Sequence, residues 1–121
     1  METEKKRTGN TGEEIAADYM VSQGYRILER NWRVGHLEVD LIAENDRWLV
    51  IAEVKTRKNT LFGEPEDFVT LQKQRNLIRA AAAYIRRTQH VKEVRFDIIS
   101  VVLQQGMQGV KHIEDAFKPR W

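Results

Sequence analysis

The most constraining feature of the sequence is a pair of apolar, β-branched segments separated by only a few polar residues. The first segment covers residues 37–43 and the second covers residues 48–56, with Glu-Asn-Asp-Arg between them. Two segments of this kind with a short polar connection predict antiparallel strands joined by a four-residue loop. We therefore predict a β-hairpin near the middle of the chain.

Two helices are predicted, one on each side of this hairpin. Thr11 and Glu14 form a capping box, and apolar residues then recur every three or four positions, which predicts a helix from Thr11 to about Gln23. Thr70 is predicted to cap a second helix, whose apolar stripe is Leu77, Ile78, Ala81, Tyr84 and Ile85.

Further strands are predicted before, between and after these helices. Residues 25–30 predict a first strand, residues 94–103 a central strand, and residues 110–113 a weak final strand, with a turn bracketed by Gly106 and Gly109. Because a helix connects the third and fourth strands, those two strands are expected to be parallel neighbours. The predicted order is α-β-β-β-α-β, an α/β fold in which a small mixed sheet is flanked by helices.

Length and composition limit the class of protein. A chain of 121 residues fits one domain, here residues 1–121 with residues 1–7 as a loose tail. The chain has no cysteine, which excludes disulfides, thiolate zinc sites and a cysteine nucleophile. Because there is no apolar leader and no apolar stretch of about 18 residues, we expect a cytoplasmic protein with no membrane partner.

The charge is unevenly distributed. The chain has a formal net charge of +2, but the segment from Thr70 to Arg95 contains seven Lys or Arg residues and a single Glu. A basic segment beside an acidic remainder indicates a polyanion partner on one face and a cation site on another. A solvated helix surface would produce the same charge distribution, so the asymmetry alone does not assign a function.

The predicted hairpin contains an unusual set of charged residues. Glu38 and Asp40 lie in its first strand, and Glu53 and Lys55 lie in its second, among residues that otherwise read as buried. Strict alternation along each strand would place the two members of each pair on one face. Burying three carboxylates and an ammonium is costly unless another group compensates their charge.

A magnesium ion would supply that compensation. Mg²⁺ prefers oxygen ligands and binds one or two carboxylates together with water and substrate phosphates. Asp40, Glu53 and the backbone carbonyl of Val54 could hold Mg²⁺ or Mn²⁺, and Lys55 could act on a water molecule or on a phosphate. The alternative is an exposed strand face with a cross-strand ion pair, because Glu-x-Lys is a common pattern.

Several short motifs occur in a specific order along the chain. They are Gly9-x-x-Gly12-Glu13, Gly24-Tyr25-x-Ile27-Leu28-x-x-Asn31, Glu38-x-Asp40-Leu41-Ile42-Ala43, Glu53-Val54-Lys55-Thr56-Arg57, Phe62-Gly63 and Arg95-Phe96-Asp97. In this combination the chain resembles the YraN-like family of small bacterial proteins. That family is similar to archaeal Holliday-junction resolvases and to the PD-(D/E)XK, or restriction-endonuclease-like, nucleases.

The resemblance implies a restriction-endonuclease-like core and a site for a divalent metal ion. It also implies a role for Glu13, because related nucleases place an acidic residue of the first helix near the metal; the alternative is that Glu13 only complements the helix dipole. Lys73, at a position where the family tends to have lysine, is the candidate for binding nucleic acid, together with Arg57 and Lys58. A homodimer is expected from the resemblance alone.

Three functions are compatible with these features. The first is a metal-dependent endonuclease acting on structured or branched DNA, with Asp40, Glu53, Lys55, Glu13 and Glu38 in its site. The second is a nucleic-acid-binding accessory protein that has the same fold and no catalytic activity. The third is an interaction protein whose acidic pocket receives a basic peptide.

Overall fold

In a computed structural model the chain folds around one five-stranded sheet, and the structure describes residues 4–58, 69–104 and 107–119. The elements are α1 (Glu4–Ser22), β1 (Arg26–Val34), β2 (Leu37–Glu44), β3 (Trp48–Arg57), α2 (Leu71–Thr88), β4 (Glu93–Gln104) and β5 (Met107–Phe117). The strands lie in the order β1-β2-β3-β4-β5. The predicted order of elements is confirmed, with a full fifth strand at the end.

The sheet is mixed. Strands β1, β2 and β3 form an antiparallel meander, and β4 and β5 form an antiparallel pair. Strands β3 and β4 are parallel neighbours, as the helix between them predicted. Ten successive residues of β3 pair with β4, from Trp48 beside Glu93 to Arg57 beside Val102.

The two helices cover opposite faces of the sheet. Val50 and Ala52 belong to a core cluster with Ala16 and Met20 of α1, and the alternate residues of the same strand pack with α2. That second cluster includes Leu49, Ile51, Leu77, Ala81 and Tyr84. Because side chains alternate between the faces of a strand, these clusters place one helix on each side of the sheet. No helix within the three described ranges is long and apolar enough to cross a membrane.

The predicted start of α1 is wrong. The helix begins at Glu4, so Thr11 and its capping box lie inside the helix, and the expected tail is helical from Glu4 to Arg7. Residues 4–7 include good helix formers, and a potential N-cap does not stop a helix that can continue before it. The N-cap of α2 is confirmed, because the Thr70 side chain accepts a hydrogen bond from the amide of Lys73 at 3.1 Å.

The last strand is longer than predicted. Strand β5 covers Met107–Phe117 rather than residues 110–113, and Gly109 lies inside it, opposite Val102 of β4. Polar residues alternate irregularly in β5, so its hydrophobic pattern is weak and its extent follows from pairing with β4. Gly106 and the Phe62-Gly63 motif lie outside the described residues.

Helix α1 approaches β3 closely at Gly12. A Cβ atom added to Gly12 would lie 2.8 Å from both Cβ and Cγ2 of Thr56, closer than real side chains approach each other. This contact is therefore possible only for glycine, and it holds the middle of α1 against the carboxyl end of β3.

We expect Gly12→Ala to lower the free energy of unfolding by about 1–3 kcal/mol, the usual cost of inserting a methyl group into a packed contact. Urea denaturation followed by circular dichroism measures this change. Gly109→Ala is the matched control, because a Cβ at Gly109 would meet none of the described atoms within 4 Å. Equal stability of the two variants would show that α1 does not depend on this contact.

Candidate active site

The central feature of the site is a gap between β2 and β3. The pairing of these strands ends with Leu41 opposite Ala52. One residue earlier in β2, Asp40 accepts a hydrogen bond through Oδ2 from the amide of Val54 at 2.9 Å. A side chain has therefore replaced the backbone of β2 as the partner of β3, and the carboxylate of Asp40 lies in the gap.

A bend in β1 accompanies this gap. Asn31 lies between Arg30, which pairs with Leu41, and Trp32, which pairs with Val39, and it has a φ of 51°, in the left-handed region. Asparagine tolerates this conformation better than most residues. At the same place the side chains of β2 stop alternating regularly between the two faces. Val39 packs in the cluster under α2, whereas Leu41, two residues later, packs in the cluster under α1.

Glu53 is the most buried acidic residue of the site. It is only 5% exposed, and its Oε1 lies 3.8 Å from Nζ of Lys55 and 3.6 Å from Nζ of Lys73. Its other oxygen, Oε2, is buried and has no hydrogen-bond partner among the residues that the structure describes. One oxygen of this carboxylate is thus compensated by two lysines, and the other has no compensating group among the described residues.

The protonation of both carboxyl groups reflects their burial. Burial and the neighbouring charge of Glu53 raise the pKa of Asp40 to about 7, despite the amide of Val54, with a smaller contribution from Glu13. Burial also raises the pKa of Glu53, although Lys73 and Lys55 oppose this shift. Between pH 3.8 and about 7, Asp40 is protonated in the folded protein and ionised in the unfolded chain. The contribution of Asp40 to the free energy of unfolding therefore falls as the pH rises through this range.

Of the other predicted site residues, Glu13 lies near the site and Glu38 lies at its margin. Glu13 is partly buried next to Gly12, and its charge acts on Asp40. Glu38 is half-exposed and forms an ion pair with Arg33 at 3.5 Å. The prediction that Glu38 and Asp40 share one face assumed unbroken alternation along β2, which the strand does not keep.

The basic residues proposed for nucleic acid occupy two positions. Lys73 lies in the first turn of α2 and reaches Glu53, so it belongs to the site itself. Arg57 and Lys58 follow Lys55 at the carboxyl end of β3, where Arg57 is partly buried and Lys58 is exposed.

A buried polar cluster that the sequence did not predict lies on the other face of the sheet and is here called the Asp97 network. Asp97 accepts two hydrogen bonds from Arg95 at 2.9 and 2.8 Å, one from His112 at 2.7 Å and one from the amide of Asp115 at 3.1 Å. Arg95 also donates to the hydroxyl of Tyr25 at 2.6 Å. The only signal in the sequence was a charged residue at each end of Arg95-Phe96-Asp97 within an apolar strand.

The arrangement at the gap limits the kind of metal site. Among the residues that the structure describes, no three or more Asp, Glu, His or Cys side chains gather to hold an ion. The site therefore offers two carboxylates, Asp40 and Glu53, with two lysines beside them. This set suits an ion such as Mg²⁺, which takes one or two carboxylates and completes its octahedron with water.

Comparison with known proteins identifies the family. Residues 12–101 match the model of the family described as "Uncharacterised protein family UPF0102". A UPF0102 protein of Bacteroides thetaiotaomicron is 47% identical over 116 residues, covering 96% of each chain. One from Syntrophomonas wolfei is 42% identical over 113 residues, covering 93% of this chain and 98% of its own. The YraN-like resemblance is thus confirmed at the level of the family, and the chain belongs to the UPF0102 family.

Proposed function

We propose that this protein is a metal-dependent endonuclease that hydrolyses phosphodiester bonds in structured or branched DNA. The observation that carries the proposal is the pair of carboxyl groups at the gap between β2 and β3, Asp40 and Glu53, with an unpartnered buried oxygen on Glu53 and two lysines beside it. A buried acid of this kind is costly unless it serves a ligand.

The donor atoms support a divalent ion. Asp40 and Glu53 would each contribute a carboxylate oxygen, and we propose the carbonyl of Val54 as a third donor. The amide of Val54 points toward Asp40, and within a strand the amide and carbonyl of one residue point to the same neighbour. When bound, Mg²⁺ or Mn²⁺ would activate a water molecule and neutralise phosphate charge.

The other residues of the site have electrostatic roles in this proposal. Lys55 and Lys73 would stabilise the negative charge that develops on the phosphate, since both ammonium groups already lie within 4 Å of Glu53. Glu13 and Glu38 would act at the margin of the site, through water or through the charge they exert on Asp40 and Glu53 respectively. Arg57 and Lys58 would contact flanking phosphates.

The architecture is compatible with a restriction-endonuclease-like core. The resemblance implies a mixed sheet with helices on both faces. In such a core an antiparallel hairpin supplies the acids, and a crossover helix leads to a parallel fourth strand, which is the order of elements found in this chain. We include in the proposal a homodimer, because a branched substrate presents two related phosphates, and a cytoplasmic location, where such DNA occurs.

One observation favours a non-catalytic alternative, a nucleic-acid-binding accessory protein. Two lysines lie close enough to Glu53 to balance its charge without a metal ion. In that case Lys55 and Lys73 would complete a structural ion cluster, and the basic face of α2 would bind nucleic acid by charge alone. Metal binding distinguishes the two functions.

Calorimetric titration with Mn²⁺ tests the proposal. The wild-type protein is expected to bind one ion, and Asp40→Ala to weaken binding by at least about 100-fold, because it removes one of two carboxylates. Since the pKa of Asp40 is about 7, the ion competes with a proton below that pH. We therefore expect the affinity to fall by about tenfold for each pH unit below 7 in wild type.

Glu93→Ala is the control for this titration, because Glu93 is an exposed carboxylate at the start of β4 and should leave Mn²⁺ binding unchanged. No heat of binding in wild type, combined with salt-sensitive affinity for DNA, would exclude the metal site and support the accessory function.

A further inference from the structure

Two buried polar atoms lack a partner among the side chains that the structure describes, and both lie beside Lys55. One is Oε2 of Glu53, discussed above, and the other is the hydroxyl oxygen of Ser100. Ser100 is 1% exposed and lies in β4. Buried hydroxyl groups are nearly always hydrogen-bonded, so this one calls for a partner.

The register of the parallel strands places the hydroxyl group at the site. Ser100 pairs with Lys55, and Ile98 pairs with Glu53. Side chains of paired residues stand on the same face of a sheet, so Ser100 shares with Lys55 and Glu53 the face that α2 covers. Strand β4 therefore contributes a polar group to a site otherwise built from β2, β3 and the helices.

We propose that Ser100 is a positioning residue for Lys55, an inference that rests on the proposed function. In the arrangement described above, the ammonium of Lys55 is drawn to Oε1 of Glu53, which it shares with Lys73. If Glu53 held a metal ion, its charge would no longer be available to both lysines. The hydroxyl of Ser100 then accepts a hydrogen bond from Lys55 and holds the ammonium toward the phosphate.

The chemistry of the three side chains favours this assignment over a direct role in metal binding. An ammonium has three donors and needs acceptors, and a buried hydroxyl that lacks a donor partner offers one. Asp40 and Glu53 would already offer two carboxylates to Mg²⁺ at this gap, and a neutral hydroxyl on the neighbouring strand would add little to them. Ser100 is thus expected to affect what Lys55 does, and not how tightly the ion binds.

The test compares Ser100→Ala with Ser100→Thr, which keeps the hydroxyl group, in cleavage of a four-way DNA junction and in Mn²⁺ titration. We expect Ser100→Ala to reduce kcat by about tenfold, the value of one hydrogen bond, with KM within about twofold of wild type. Ser100→Thr should restore kcat. Both variants should bind Mn²⁺ as wild type does.

A readout independent of activity is the thermal unfolding of a double-mutant cycle of Ser100→Ala and Lys55→Met. With saturating Mn²⁺, the effects of the two substitutions on Tm are expected to be non-additive by about 4 °C, because each removes the same hydrogen bond. Additive effects in a protein that binds Mn²⁺ would overturn the role of Ser100 alone. A wild-type protein that binds no Mn²⁺ would overturn the proposed function and this inference with it.

Discussion

Asp97→Ala is expected to lower the free energy of unfolding by about 3–5 kcal/mol, a large fraction of the total stability of about 5–15 kcal/mol typical of a domain. The side chain is completely buried and receives four hydrogen bonds, of which two come from the guanidinium of Arg95. Removing the carboxylate would leave Arg95, itself only 6% exposed, as an uncompensated buried charge. That uncompensated charge accounts for most of the expected loss.

The Asp97 network joins three elements, α1, β4 and β5, and the residue that precedes β1. Tyr25 precedes β1, Arg95 and Asp97 lie in β4, and His112 lies in β5 and bonds at 3.2 Å to the hydroxyl of Tyr19 in α1. Burial alone would raise the pKa of Asp97, but the hydrogen bonds from His112 and Arg95 outweigh it and hold that pKa below its usual range. The stabilisation is therefore present above pH 3.8 and is lost as the pH falls below that value.

Urea denaturation followed by circular dichroism measures this effect. Asp97→Asn is the second variant, since it keeps the volume and some hydrogen bonds and should remain folded if Asp97→Ala does not. Glu93→Ala in the same strand is the control, and its exposed ion pair with Arg47 at 3.9 Å should contribute less than about 0.5 kcal/mol. A loss of less than 1 kcal/mol in Asp97→Ala would mean that Arg95 finds another partner.

The elements that sequence analysis predicted correctly are those with strong local signals. The hairpin of β2 and β3 follows from two apolar runs, and the cap of α2 follows from one side chain, Thr70, bonding to a backbone amide three residues later. The parallel pairing of β3 with β4 follows from the helix that connects them. Each of these depends on neighbours in sequence or on general rules of topology.

The features that sequence analysis missed depend on residues that are far apart in the chain. The gap at Asp40 lies next to a left-handed residue, Asn31, on the adjacent strand, and strict alternation gives no indication of either. The role of Asp97 depends on His112, fifteen residues away, and on Tyr25, and no spacing rule joins them. The length of β5 follows from pairing with β4 and not from its own pattern.

The same distinction applies to the candidate site. Asp40, Glu53 and Lys55 stood out because charged residues are rare in apolar strands, and the structure places their side chains around one gap. Lys73 was proposed as a contact for nucleic acid, but its distance to Glu53 makes it part of the site. Ser100 had no signal in the sequence, since a serine in a strand is ordinary until its burial and its lack of a partner are known.

The two lysines beside Glu53 lead to the largest expected effect on activity. Lys55 is fixed on β3, one residue after the amide that binds Asp40, whereas Lys73 reaches the same carboxylate from the first turn of α2. The ammonium group of Lys55, held on the central strand, can be aligned with the phosphate in the transition state. The ammonium group of Lys73, on a helix turn, can contact the substrate equally before and during the reaction. We therefore expect Lys55 to act mainly on kcat and Lys73 mainly on KM.

Lys55→Met is expected to reduce kcat for cleavage of a four-way DNA junction with Mn²⁺ by about a thousandfold, and Lys73→Met to raise KM by about tenfold with a smaller change in kcat. Methionine keeps the length of the side chain and removes its charge. Lys118→Met is the control, because Lys118 is 77% exposed, pairs with Asp115 and lies outside the site. If Lys55→Met cleaves as fast as wild type, the activity comes from a contaminant and the catalytic role is excluded. Equal losses of kcat in both lysine variants would show instead that the two ammonium groups act together on the transition state.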